Sequence, residues 1–339
     1  MNNRDYWKKR REQLSNQQFK KIKGLEKKLA REYKKSLKEI EEKIFIFYGR
    51  FAKDNKMTYD QAVKQLNSSE YNVWRKSLEE YIKEIESTGD KKVLLELNTL
   101  SMKSRISRLE ALKGDITKVI FKLFSLEENE LTNFLIETGL ESYYKTIFEV
   151  QKRRRNIGAS FTKLSKETVK KVASYPWSGK EFSARIWKHR DHLIDVLKEE
   201  LTQKIIQGKD VREVSISLSR RMNVSLKNSI GLVQTETAHI HEEMSAKAYE
   251  ETNVDRYEIL ATLDTRTSDI CRKQDGRVHR LKDRVIGVNY PPFHVNCRTT
   301  TVPYFEDDEG TRIAKNKAGK NYHVPASMTY EEWYKEYVK

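Results

Sequence analysis

Both cysteines of the chain, Cys271 and Cys297, fall in the stretch from Leu263 to Pro303, LDTRTSDICRKQDGRVHRLKDRVIGVNYPPFHVNCRTTTVP. Asp275 follows the first cysteine by four residues and His294 precedes the second by three. Thiolates and imidazole are ligands that suit zinc, and a metal held by them can staple a small sheet. If a hairpin brings the two clusters together, Cys271, Asp275, His294 and Cys297 form one site, with His279 the alternative fourth ligand. Three plainer readings use the same residues: cysteines buried as small hydrophobes, a disulfide between them, or a His294 ring bonded to a backbone carbonyl. The enzymatic alternative is a metal-dependent nuclease that uses His294 with Asp275. The further carboxylate or histidine cluster that such a site wants does not stand beside them in the sequence.

The elements that must position this stretch are helical. The chain has 339 residues, of which 34% are charged and 37% hydrophobic, with only 13 glycines and 5 prolines. That composition favours long amphipathic helices over sheets. Ile22, Leu25, Leu29, Tyr33, Leu37, Ile40, Ile44 and Phe47 recur at helical spacing and predict one helix from Phe19 to Tyr48, its other faces filled by Lys and Glu of mixed sign. Thr58 is positioned to cap a short helix, and further stripes run from Ser69 to Glu86, Lys91 to Lys113, Asp115 to Phe124 and Glu128 to Gln151. Helices are expected again from Lys180 to Gln207, from Val211 to Met222 behind an Asp210 cap, and from Leu226 to Glu250 behind a Ser225 cap.

After Val254 the texture changes, and Arg256 to Ala261, Gly276 to Leu281 and Thr299 to Tyr304 read as short strands. The expected fold is mainly α: long antiparallel helices followed by a small C-terminal α+β domain with a short antiparallel sheet, which zinc would staple. The expected divisions are 1–155, 156–252 and 253–339.

Other candidate chemistry reads weakly. His239, Glu242 and Glu243 lack the HExxH order of a zinc protease and suit a solvated helical face. His189 and His192 have no carboxylate pattern beside them, and Ser178-Gly179-Lys180 lacks the leading glycine and strand of a phosphate loop. Lys152, Arg153, Arg154 and Arg155 close a helix, where cations offset the macrodipole or meet phosphate.

LDTRTSDICRKQDGRVH followed by YPPFHVNCRTTTVP resembles the signature of the phage minor head proteins, the Mu F-like or head morphogenesis family. The shared order is an aspartate-arginine-threonine turn, a cysteine, an aspartate-glycine and PPxHxxCR. The resemblance runs from about Trp177 to the end, with Gly231 to Tyr249 as its lead-in and Ala314 to Tyr334 as its tail. Thr299 stands where a further cysteine sometimes occurs in the family. Some relatives carry ADP-ribosyltransferase domains, of whose signature Thr235 and Glu236 match only a fragment.

The resemblance implies a low-copy virion structural protein inside a tailed-phage or prophage head, near the portal and the packaged DNA, rather than an enzyme. The net charge of +16 agrees with non-sequence-specific DNA as a partner. The N-terminal residues lack an apolar signal core and no run reaches the length of a membrane span, so synthesis in a reducing host cytoplasm is expected.

Overall fold

A computed structural model describes residues 3–67, 106–154, 157–206, 211–305, 311–315, 320–325 and 328–337. The stripe expected from Ser69 to Glu86, and most of the one beginning at Lys91, lie outside the described residues. Helix α1 spans Asn3–Asp54 and α2 Tyr59–Asn67. Helix α3 spans Ile106–Arg153, α4 Lys166–Ala173, α5 Phe182–Ile206 and α6 Val211–Glu251. The C-terminal part follows as β1 (Arg256–Leu260), α7 (Asp269–Gln274), β2 (Val278–Arg280) and β3 (Thr300–Pro303). It ends with β4 (Thr311–Lys315), β5 (Asn321–Pro325) and α8 (Tyr330–Tyr337). The fold is thus mainly helical with a small C-terminal antiparallel sheet, as the periodicities predict.

The helices are longer than expected. Gly114 does not break α3, and Ser225 does not begin a new helix but lies within α6. Glycine inside a helix costs only about 1 kcal/mol, which packing of the flanking turns overrides. Ser225 is buried, its hydroxyl 3.2 Å from that of Tyr33, which also donates to Glu127. Thr58 does cap α2: its hydroxyl accepts from Gln61 N–H while the Gln61 side chain accepts from Thr58 N–H. Asp210 lies outside the described residues.

Along α1 the buried residues Ile22, Leu25, Leu29, Tyr33, Ile40, Ile44 and Phe47 form the expected stripe. The polar side differs from expectation. Between Lys20 and Lys38 every exposed position except Gly24 is Lys or Arg, and Glu26, Glu32 and Glu39 are half-buried on the flanks.

The chain forms two compact units built from separated stretches. The first comprises Met1–Lys27, Glu128–Arg185 and Ser229–Lys339; the second comprises Lys28–Glu127 and Ile186–Asn228. In the second, Phe121, Trp187 and the Arg190 guanidinium stack together, with Arg190 4.4 Å from the Trp187 ring centre.

In the first unit α6 ends in a Schellman turn: Asn253 has φ 52°, Val254 N–H reaches Tyr249 O and Asn253 N–H reaches Glu250 O. The turn delivers the chain directly into β1, the central strand of the order β2-β1-β3. Both pairings are antiparallel, with Tyr257 opposite His279 on one side and Pro303 on the other. Val150, Ala246, Tyr249, Tyr257, Ile259, Tyr290 and Val302 form the core between helices and sheet. The hairpin of β4 and β5 was not expected from sequence; with α8 it packs Ala314, Val324, Tyr330 and Trp333 on Leu263.

Candidate metal centre

Each ligand is delivered by a local device. Ser268, extended, caps α7 by accepting from Cys271 N–H, which turns the Cys271 side chain inward. Gly276, at φ 73°, lets the chain reverse after α7 and return as β2, with its N–H bonded to Ile259 O. On the other arm the Pro291–Pro292 bond is cis, and Asn296 adopts φ 59°. Asn296 N–H donates to the Thr235 hydroxyl at 3.0 Å, which ties the HVNC loop to α6.

These devices bring Cys271, His294 and Cys297 together, with one ligand atom from each lying within 4.8 Å of the others. The two sulfurs are 3.7 Å apart and Cys271 Sγ is 3.2 Å from His294 Nε2. Tetrahedral zinc with ordinary Zn–S and Zn–N bonds demands separations of about 3.8 Å and about 3.6 Å. Both thiols are free and buried. His294 Nδ1–H donates to Val295 O at 2.8 Å, so the lone pair is on Nε2, facing the sulfurs. A hydrogen bond from Cys297 draws the Cys271 thiol down to about 6 against the opposing effect of burial, while that bond and burial push Cys297 up. The group can hold a metal ion, with three protein ligands and the Ser268 hydroxyl 2.7 Å from His294 Nε2.

The flanking motif residues support the ligands. Asp264 takes two hydrogen bonds from the Arg298 guanidinium, at 2.5 and 2.8 Å, and also accepts from Arg266 N–H and Thr267. Burial pushes the Asp264 carboxyl up, but Arg298 and the other donors more than offset it and leave it below its ordinary value. The aspartate turn and the Cys-Arg step are thus two halves of one clamp. The sequence shows a turn at Asp264 but carries no local signal for its pairing with Arg298, 34 residues away.

Asp275 and His279, expected as alternative fourth ligands, fall outside this three-residue group. The Asp275 carboxylate is buried and accepts from Ala261 N–H at 2.8 Å; pairing in β2 turns His279 toward Tyr257. The expectation of a solvated HIHEEM face is also overturned, since His239, His241 and Glu242 are buried. Glu242 accepts from the Thr300 and Thr301 hydroxyls, and His241 Nδ1 lies 2.7 Å from Ser142 Oγ. His239 stacks on Trp177 with ring centres 4.6 Å apart. The signal missed was the long run of apolar and small residues around them, which marks a helix buried on most sides.

Of the basic run, Lys152 and Arg153 are exposed, and Arg155 lies outside the described residues. Arg154 instead donates to Thr252 O and Asn253 O, capping the C-terminal end of α6. Glu236 is buried, accepting from Trp177 Nε1 at 2.9 Å and paired with Arg185, and Thr235 holds Asn296.

Residues 195–302 match the family described as Phage Mu protein F like protein. This stretch is similar to the Mu F-like family. The Mu F-like segment contains all three ligands, the Asp264–Arg298 clamp and the whole of α6, so the match and the geometry single out the same part of the chain. The family is one of phage head proteins. The chain is also similar to NAD(+)--arginine ADP-ribosyltransferase EFV of Enterococcus faecalis, 23% identical over 300 residues, 84% of this chain and 59% of that protein. An uncharacterized protein of Haemophilus influenzae is 18% identical over 127 residues, 38% of this chain and 28% of its own. The chain therefore spans less than two thirds of either relative. No solved structure matches.

Proposed function

We propose that this is a structural protein of a tailed-phage or prophage head, placed near the portal, that engages portal and packaged DNA in head morphogenesis or DNA delivery. Its Cys271, His294 and Cys297 hold zinc as a staple for the C-terminal segment. The reading is carried by the coincidence of the Mu F-like match over 195–302 with a three-ligand group whose spacing suits zinc. Bound metal would join two chain arms that otherwise meet through the Asp264–Arg298 clamp and strand pairing, which suits a structural part.

Capture of the portal protein by this chain, from lysates and with purified components, tests the partner. Specific, stoichiometric capture is the expected result, and none with purified portal contradicts it. Elemental analysis of protein purified under reducing conditions without chelator tests the metal, with about one zinc per chain expected and none contradicting the staple.

The Enterococcus relative supports a second reading, transfer of ADP-ribose to arginine. Glu236, from the fragment resembling that signature, is already committed to Trp177 and Arg185. Incubation with labelled NAD+ and an arginine-rich acceptor separates the readings; label transfer abolished by Glu236→Gln would carry the second.

A further inference from the structure

The exposed face of α1 lies outside residues 195–302 and serves neither the ligand group nor its supports. Within the second unit it presents Lys28, Arg31, Lys34, Lys35 and Lys38, all exposed. At about 100° per residue these five fall within an arc of about 120°, directly opposite buried Leu29, Tyr33 and Ile40. The half-buried Glu32 lies to the side of that arc. Lys38 meets Glu42 at 3.8 Å, but both side chains are largely in water, where such a pair is weak.

We propose that this face is a docking surface for double-stranded DNA, bound through phosphates without sequence reading. Five cations along about 15 Å of helix give one charge per about 3 Å, close to the roughly 3.4 Å between phosphates on one strand. An anionic bilayer fits less well, because between Lys28 and Lys38 no apolar residue is exposed to insert, and the exposed Phe45 and Ile46 stand beyond the cationic run. The inference rests on the DNA part of the proposed function and locates it on α1 rather than on Lys152 and Arg153.

The test uses the full chain and a K28Q/R31Q/K34Q/K35Q/K38Q variant, since glutamine keeps helix propensity at exposed positions. A charge-matched control, K163Q/K166Q/K170Q/K171Q/K180Q, alters five exposed lysines elsewhere. Circular dichroism confirms that both remain folded, and anisotropy measures binding to a short duplex as salt is raised. The plot of log affinity against log salt should become shallower by about 4 in the α1 variant and change far less in the control. Equal losses in both variants, or wild-type behaviour of the α1 variant, overturn the assignment while the DNA reading survives. Absence of duplex binding by the wild type removes both. Loss of binding to phosphatidylserine vesicles with DNA binding retained would give the surface to a membrane and overturn the inference.

Discussion

The Val295 carbonyl accepts the Nδ1 proton of His294, and in the neutral ring that one hydrogen bond leaves the lone pair on Nε2, turned to Cys271. A ligand fixed in this way depends on its supports. Arg298→Gln leaves all three ligands in place but removes the clamp on Asp264, and should weaken zinc affinity by about 10- to 100-fold in competition with a chromophoric chelator. Unchanged affinity would show that the clamp holds only the turn. Cys297→Ser should release the metal and make the C-terminal segment sensitive to limited proteolysis; chelation of the wild type should reproduce that pattern and add nothing to the variant.

His239 gives a separate prediction in pH. Burial, aided by the nearby Arg284 charge, lowers it to about 3, and neither ring nitrogen makes a hydrogen bond among the described residues. Below its ordinary value the unfolded chain takes up a proton that the folded chain refuses, so stability falls from about pH 6.5 toward pH 3. At pH 5 the loss from this residue is about 2 kcal/mol. Urea unfolding at pH 7 and pH 5 should show a drop larger by that amount in the wild type than in His239→Phe; equal drops would remove the buried neutral imidazole from the account.

Among the elements, α3, α4 and α6 meet at Gly139. A Cβ there would lie 2.5 Å from a Val169 methyl and 3.1 Å from Ile240. Gly139→Ala gains about 1 kcal/mol of helix propensity, but overpacking costs about 1 to 3 kcal/mol. Net destabilisation is expected in the urea midpoint; a stabilised variant would mean that the helices can part. The same level shows what could be read in advance. The stripe of α1 and the three short strands were legible because period and β-branched residues act locally. The continuity of α3 through Gly114 and of α6 through Ser225 was not, since contacts remote in sequence decide whether a weak break is used. The cluster of Cys271, His294 and Cys297 was legible from residue type, whereas the hydrogen bond from Ala261 N–H to Asp275 depends on the turn geometry after α7.

For the whole molecule, the metal group and the larger part of the Mu F-like match, residues 229–302, lie in one unit, while the rest of the match and the cationic α1 face proposed for DNA lie in the other. The sequence announced the excess of positive charge but not its arrangement. Counting charges along α1 mixes both signs, and only exposure separates the outward Lys and Arg from the half-buried Glu. The described residues contain no helix long and apolar enough to cross a membrane. The proposed function makes the chain a component of a phage head. Quantitative mass spectrometry of gradient-purified particles and head intermediates, from a host producing the phage, tests it most directly. The chain should co-sediment with heads at a fixed low ratio to the portal protein; its absence from both particles and head intermediates would contradict the claim.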